Sequence, residues 1–116
     1  MDKPKRPKET YGVTKHIDTP QCGDLRIIIN LPWEIFCTMG NPGGCQNSWA
    51  EALARSITLG IVNGIPVEEY IEQLKDIKCS CPSVMGLPED KMFWSCPDAV
   101  ARQLQVVLAT PCNGGP

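Results

Sequence analysis

Seven cysteines are spread over a chain of only 116 residues, and this feature constrains the fold more than any other. In an oxidising compartment they would predict a disulfide framework, but an odd number cannot pair completely. The charged, proline-rich first residues do not resemble a signal peptide, and no apolar run reaches the roughly 18 residues of a membrane span. We therefore expect a cytoplasmic protein without a membrane partner, in which metal ligation is the usual alternative to disulfides.

Composition and charge narrow the class further. The chain is 42% hydrophobic and 21% charged, with a net charge of −2. This balance is typical of a globular protein and argues against a nucleic-acid binder driven by bulk charge. Residues 1–20 are rich in proline and charge and lack periodicity, so we expect an extended arm. Its first part, residues 1–11, contains the basic cluster Lys3, Lys5, Arg6 and Lys8 and is expected to be solvated and flexible.

Two stretches have the composition of β-strands. Residues 24–30 (DLRIIIN) are apolar and β-branched, and residues 33–39 (WEIFCTM) alternate and carry two aromatics. Leu31-Pro32 separates them by so short a connection that an antiparallel hairpin is expected. Cys37 falls in the second strand, where we expect it to pack as a small apolar residue.

Two helices are predicted next. Residues 46–62 repeat apolar side chains every four positions, and residues 66–77 begin with a proline and two early glutamates, as helices often do. Residues 78–94 contain two prolines and a glycine without any period, so we expect a loop. The buried stripe of the first helix is expected to be Trp49, Leu53, Ile57 and Ile61.

The last predicted helix spans residues 95–109, with Ser95 as its cap and Asp98 as a capping-box partner. The resulting order, β-β-α-α-loop-α, indicates an α+β fold in which a small antiparallel hairpin packs with three helices. We expect one domain over residues 12–109, followed by a mobile tail over residues 110–116.

Several cysteines occupy positions that favour metal ligation. Cys22 precedes a strand, and Cys45 and Cys96 each begin a predicted helix. A thiolate at a helix N-terminus is stabilised by unpaired N–H groups and the helix dipole, and thiolate is the form that binds metal. Cys79 and Cys81 lie in the long loop. Four thiolates would form a structural zinc site, but the spacing is not the familiar paired Cys-x-x-Cys and is a weak signal by itself. Buried cysteines without a metal are the alternative.

Catalysis by this chain alone is not expected. The glycine-rich GNPGGC lacks the Lys-Ser/Thr of a phosphate-binding loop. The single histidine, His16, is assigned to the N-terminal arm, and a zinc site closed by four thiolates has no open position for water.

From Gly12 to Leu108 the chain resembles TSCPD domains, a family named after a Cys-Pro-Asp motif. The similar stretches are GVTKHIDTPQCGDLRIIIN, GGCQNSWAEALARSITLGIVNGIPVEEYIEQLKDIKC and SCPDAVARQL. The resemblance implies zinc as the cofactor, and it implies that the family's four recurrent cysteines fall on Cys22, Cys45, Cys79 and Cys96. Cys81, two positions from Cys79, is the alternative to it.

The resemblance also implies a role. TSCPD domains are best known as the C-terminal module of adenosylcobalamin-dependent (class II) ribonucleotide reductases. We therefore expect a zinc-binding accessory or regulatory module whose partner is a separate reductase catalytic chain. Such enzymes relay electrons through a cysteine pair near the C-terminus, whereas Cys112 stands alone there as the redox candidate.

Two other functions stay open. The first is an oligomeric module that binds a protein or a nucleotide, with Met92, Phe93 and Trp94 as the candidate partner-binding patch, because aromatic residues are enriched where proteins meet. The second is an iron–sulfur scaffold or carrier, because CGDL before a strand and GGC before a helix are similar to IscU-type scaffolds.

Overall fold

The computed structural model describes residues 7–19, 23–40, 44–79 and 92–109. The described residues confirm the predicted α+β class, with an antiparallel sheet and three helices. Among them, no helix has the length and apolar character needed to cross a bilayer. In chain order the elements are β1 (Val13–Thr19), β2 (Gly23–Asn30), β3 (Glu34–Met39), α1 (Cys45–Val62), α2 (Val67–Leu74) and α3 (Cys96–Ala109).

The sheet has three strands in the order β1-β2-β3, so a third strand, β1, pairs with the β2 edge of the predicted β2-β3 hairpin. Strand β1 lies in the stretch that the sequence assigns to an extended arm. Its residues are mostly polar, and even Ile17, which packs against the core beside Leu25, is only half-buried. The strand forms because all seven of its residues pair antiparallel with β2. The hydrophobic pattern of β1 itself does not reveal this pairing.

The core lies between one face of the sheet and the helices. Alternate residues of β2 (Leu25, Ile27 and Ile29) are at most 1% exposed, which is the pattern of a strand buried on one face. Strand β3 supplies Ile35, Cys37 and Met39 from the same face. Asp98 is the only charged side chain among the largest fully buried residues of the described ranges.

Helix α1 is rotated relative to the predicted stripe. Its buried residues are Ala50, Ala54, Ile57 and Gly60, whereas Trp49 is 78% exposed, so the prediction that Trp49 is buried was wrong. Small side chains let the helix approach its neighbours closely. At Gly60 the approach is tight enough that a Cβ would overlap the hydroxyl of Tyr70.

Helix α2 ends at Leu74, three residues earlier than predicted. The chain turns at Asp76, whose φ of 68° lies in the left-handed region that non-glycine residues seldom adopt. The backbone N–H of Asp76 donates to the carboxylate of Asp98 at 2.7 Å. This contact with α3 holds the turn, and it involves residues that are 22 positions apart.

Candidate metal centre

The start of β2, the end of β3 and the start of α1 meet at one end of the sheet. Gly23 lies so close to Gly40 that a Cβ on Gly23 would stand 3.5 Å from the Cα of Gly40. The N–H of Gly40 donates to the carbonyl of Asp24 at 3.3 Å. Cys22, the first predicted ligand, directly precedes Gly23 in the sequence, so it is joined by one peptide bond to this end of the sheet.

The first turn of α1 is tied to the same end. The side chain of Asn47 accepts a hydrogen bond from the backbone N–H of Met39 at 2.9 Å. Cys45 is the first residue of the helix and is exposed, and the preceding N-cap, Gly44, makes no side-chain cap. The thiol of Cys45 therefore stands at a helix start where no N-cap side chain occupies the terminal N–H groups.

Helix α3 begins at the same end of the fold. Cys96, its first residue, is half-buried, and a cavity of about 200 Å³ lies between it and α1. The lining is almost entirely apolar. It includes Leu25 near the start of β2, Met39 at the end of β3, Gln46 and Trp49 near the start of α1, and Cys96 and Pro97 at the start of α3.

Cys79 is exposed and approaches the start of α3 through its backbone. Its N–H donates to the carbonyl of Trp94 at 3.0 Å, two residues before Cys96. The segment after α2 therefore runs beside the segment that leads into α3.

The buried carboxylate of Asp98 holds these two segments together. It accepts hydrogen bonds from the backbone N–H groups of Asp76 and Trp94 and from Nε of Arg102, each at 2.7 Å. Nη2 of Arg102 also contacts the carboxylate of Asp76 at 3.2 Å. Asp98 is fully buried, so this guanidinium and these donors replace the water that a carboxylate needs.

The helix cap at this point was partly predicted. Oγ of Ser95 accepts from the N–H of Asp98 at 3.1 Å, as a capping serine should. The carboxylate of Asp98, however, reaches the N–H of Trp94 and not that of Ser95, one residue earlier than a capping box requires. The Asp98–Arg102 spacing of four was visible in the sequence, but the contact with Asp76 was not.

The family model of the TSCPD domain matches residues 2–108. The chain belongs to the TSCPD domain family. No solved structure matches it. In this TSCPD domain the Cys-Pro-Asp triplet is Cys96-Pro97-Asp98. The cysteine borders the cavity, and the aspartate accepts a hydrogen bond from the backbone N–H of Trp94, in the segment that leads into α3.

The cysteines of this TSCPD domain differ sharply in surroundings. Cys37 is buried in the sheet, and burial raises the pKa of its thiol to about 12. It is therefore a neutral packing residue at neutral pH, in agreement with the sequence interpretation. Cys37, Cys45, Cys79 and Cys96 are all thiols and not disulfides.

The complete predicted ligand set of the TSCPD domain is not assembled by the residues that the structure describes. Within those ranges, no three His, Cys, Asp or Glu side chains form a group that could hold a metal ion. Cys22 and Cys81, like the redox candidate Cys112, lie outside the described residues. The four-cysteine site therefore stays a prediction.

The candidate partner-binding patch of the TSCPD domain is less exposed than its composition suggests. Phe93 is only 4% exposed and belongs to the core cluster, whereas Met92 and Trp94 are half-buried. Nζ of Lys78 lies 5.0 Å from the centre of the Trp94 ring, within cation–π range. A partner-binding role stays a prediction, and it would have to rest on Met92 and Trp94.

Proposed function

We propose that this TSCPD domain is a non-catalytic zinc module. Cys22, Cys45, Cys79 and Cys96 would hold the ion, with Cys81 as the alternative to Cys79. The main support is a series of pairwise contacts between the ligand-bearing segments. The start of β2, next to Cys22, contacts the end of β3, which is hydrogen-bonded to the first turn of α1, and one cavity borders the first turns of α1 and α3. The segment at Cys79 is hydrogen-bonded to the residues that lead into α3.

The donor set suits zinc. Thiolates are among the donors that zinc prefers, and four of them make a closed tetrahedral structural site. Cys45 and Cys79 are exposed and Cys96 is half-buried, so their thiols are accessible to an entering ion, in contrast to that of Cys37. A closed site leaves no position for an activated water, and zinc would supply folding energy and not catalysis.

The cavity between α1 and α3 supports a cross-linking role for the ion. Apolar residues of both strands and both helices line this open cavity of about 200 Å³, which lies between the two helix starts. Metal ligation at Cys45 and Cys96 would link the two helix starts across it.

In the cell we propose an accessory or regulatory role for the module toward a class II ribonucleotide reductase whose catalytic chain is separate. This part of the proposal is supported by family membership alone. The known setting of TSCPD domains, beside the catalytic part of such reductases, motivates it.

Elemental mass spectrometry on protein purified without oxygen tests the metal assignment. We expect about one zinc per chain. Cys45→Ser and Cys96→Ser should lose most of the zinc, whereas the matched control Cys37→Ser should keep it. Iron with sulfide in the native protein would replace this proposal with the iron–sulfur scaffold, and retention of zinc by Cys45→Ser and Cys96→Ser would refute the ligand set.

Affinity capture from the source cell tests the accessory role separately. We expect a ribonucleotide reductase chain to be recovered with the zinc-loaded protein and not with the Cys96→Ser variant. Recovery of a zinc-loaded module without any reductase would remove the accessory role and leave the zinc assignment intact.

A further inference from the structure

The outward face of α1 is unusual for a helix at a protein surface. Nine of its 18 residues are exposed, and only Glu51 and Arg55 among them are charged. A solvated helix face normally carries charged residues, as α2 does with Glu68, Glu69 and Glu72. The other exposed residues of α1 are Cys45, Gln46, Ser48, Trp49, Ala52, Ser56 and Leu59.

The apolar part of this face has the spacing of a helix–helix seam. Trp49 is 78% exposed and Leu59 is 63% exposed, the highest values among the large apolar residues of the described ranges. Ala52 and Ser56 lie between them, so the four positions repeat at intervals of three, four and three residues. Such an interval keeps side chains on one line of a helix and presents them to a second helix.

The charges beside this seam are self-complementary. Nη2 of Arg55 lies 2.9 Å from Oε1 of Glu51, and both side chains are largely exposed on one flank of the helix. A two-fold axis across the seam would run a second α1 antiparallel to the first and bring the same flanks together. Glu51 of each copy would then face Arg55 of the other.

We propose that the α1 face, defined by Trp49, Ala52, Ser56 and Leu59, binds a second copy of this chain in a two-fold symmetric dimer. With the axis beside Ala52, the bulky Trp49 of one protomer packs against the small Ser56 of its partner, and the reverse contact follows by symmetry. Charge complementarity selects a second copy, because both members of each intermolecular ion pair come from the same helix.

A standard interface buries about 800 Å² per partner, which is close to one tenth of the 7730 Å² surface of the chain. The 18-residue α1, about 27 Å long, would supply the centre of such an interface. The cavity between α1 and α3, which Trp49 borders together with Leu53 and Pro97, extends the apolar surface beyond the helix itself.

Sedimentation equilibrium of the full chain over a range of concentrations tests the dimer. We expect dimers of the wild type and at least about tenfold weaker association of Trp49→Glu, since a large apolar contact close to the two-fold axis would be replaced by a charge. Val106→Glu on α3 is the control, because Val106 is also an exposed apolar residue, at 40%, but lies outside the α1 face. A wild type that stays monomeric, or Trp49→Glu that associates like the control, would overturn the proposal.

A charge swap tests the two-fold arrangement itself. Glu51→Arg or Arg55→Glu alone would place like charges opposite each other twice per dimer, so each should weaken association. The double variant restores opposite charges and should recover most of the wild-type affinity. If the double variant associates no better than the singles, the antiparallel α1 pairing is wrong, and circular dichroism of each variant checks that the fold is retained.

Discussion

The middle of β3 and the starts of α1 and α3 place the same residue type in opposite surroundings. Cys37 lies in the sheet among apolar side chains, where the residue is 4% exposed and its thiol holds its proton at neutral pH. Cys45 and Cys96 are the first residues of helices, where Cys45 is exposed and Cys96 is half-buried. Position in the fold, and not residue type, therefore separates a packing cysteine from a candidate ligand.

The two regions are also stabilised by different forces. The sheet face around Cys37 is held by burial of Leu25, Ile27 and Ile35, which needs no further partner. The helix starts are held by polar contacts from Asn47 and Asp98, and an open cavity lies between them. We expect perturbations of the ligand end to have larger effects than a perturbation at Cys37.

Metal removal is the strongest test of this difference. A structural zinc ion can contribute on the order of 10 kcal/mol of binding energy that is also folding energy. A chelator should therefore lower the melting temperature sharply, as measured by circular dichroism. A melting temperature that does not change after complete metal removal would show that the helix starts are as self-sufficient as the sheet.

Asp98→Ala should have the next largest effect. It removes the acceptor of three hydrogen bonds and leaves Arg102 without its buried carboxylate, a change that costs about 3–5 kcal/mol in comparable sites. Urea unfolding measures the loss. Asp18→Ala, on the exposed face of β1, is the matched control and should change the free energy of unfolding by less than about 0.5 kcal/mol.

Alkaline pH should act on the sheet region through Cys37. Its pKa is about 12 in the folded protein and 9.0 without burial, so the unfolded chain loses this proton first. The stabilising contribution is complete below pH 9 and is lost as the pH rises toward 12, by about 2 kcal/mol near pH 10.5. Urea unfolding of the wild type and Cys37→Ala over pH 8–10.5 isolates the contribution of the Cys37 thiol to the free energy of unfolding. Parallel pH profiles of the two proteins would contradict this contribution.

The edge of the sheet offers the smallest test. Oγ1 of Thr58 accepts from the N–H of Ile35 at 3.0 Å and donates to its carbonyl at 3.1 Å, so α1 satisfies the outer edge of β3. Thr58→Val keeps the shape but loses both bonds, and it should lower the free energy of unfolding by about 1–2 kcal/mol. Ser56→Ala, on the exposed face of the same helix, should be close to neutral in chemical denaturation at a concentration that keeps the chain monomeric.

Much of the architecture was readable from local patterns. The β-branched composition of β2, the alternation of β3 and the helical spacing of apolar residues in α1 and α3 predicted these elements close to their observed bounds. Strand β1 was missed because its residues are polar, and only its ladder with β2 defines it. The stripe of α1 was misplaced because Ala50 and Ala54 are also four apart, so periodicity alone could not decide which of two neighbouring faces is buried.

The sequence by itself determined the α+β order of elements, the family, and the placement of Cys45 and Cys96 at helix starts, because these depend on neighbouring residues and recurrent motifs. Only the tertiary structure decided that Trp49 faces solvent and that Asp98 joins the end of α2 to the start of α3. These features depend on packing and hydrogen bonds between residues far apart in the chain, for which local spacing carries no signal.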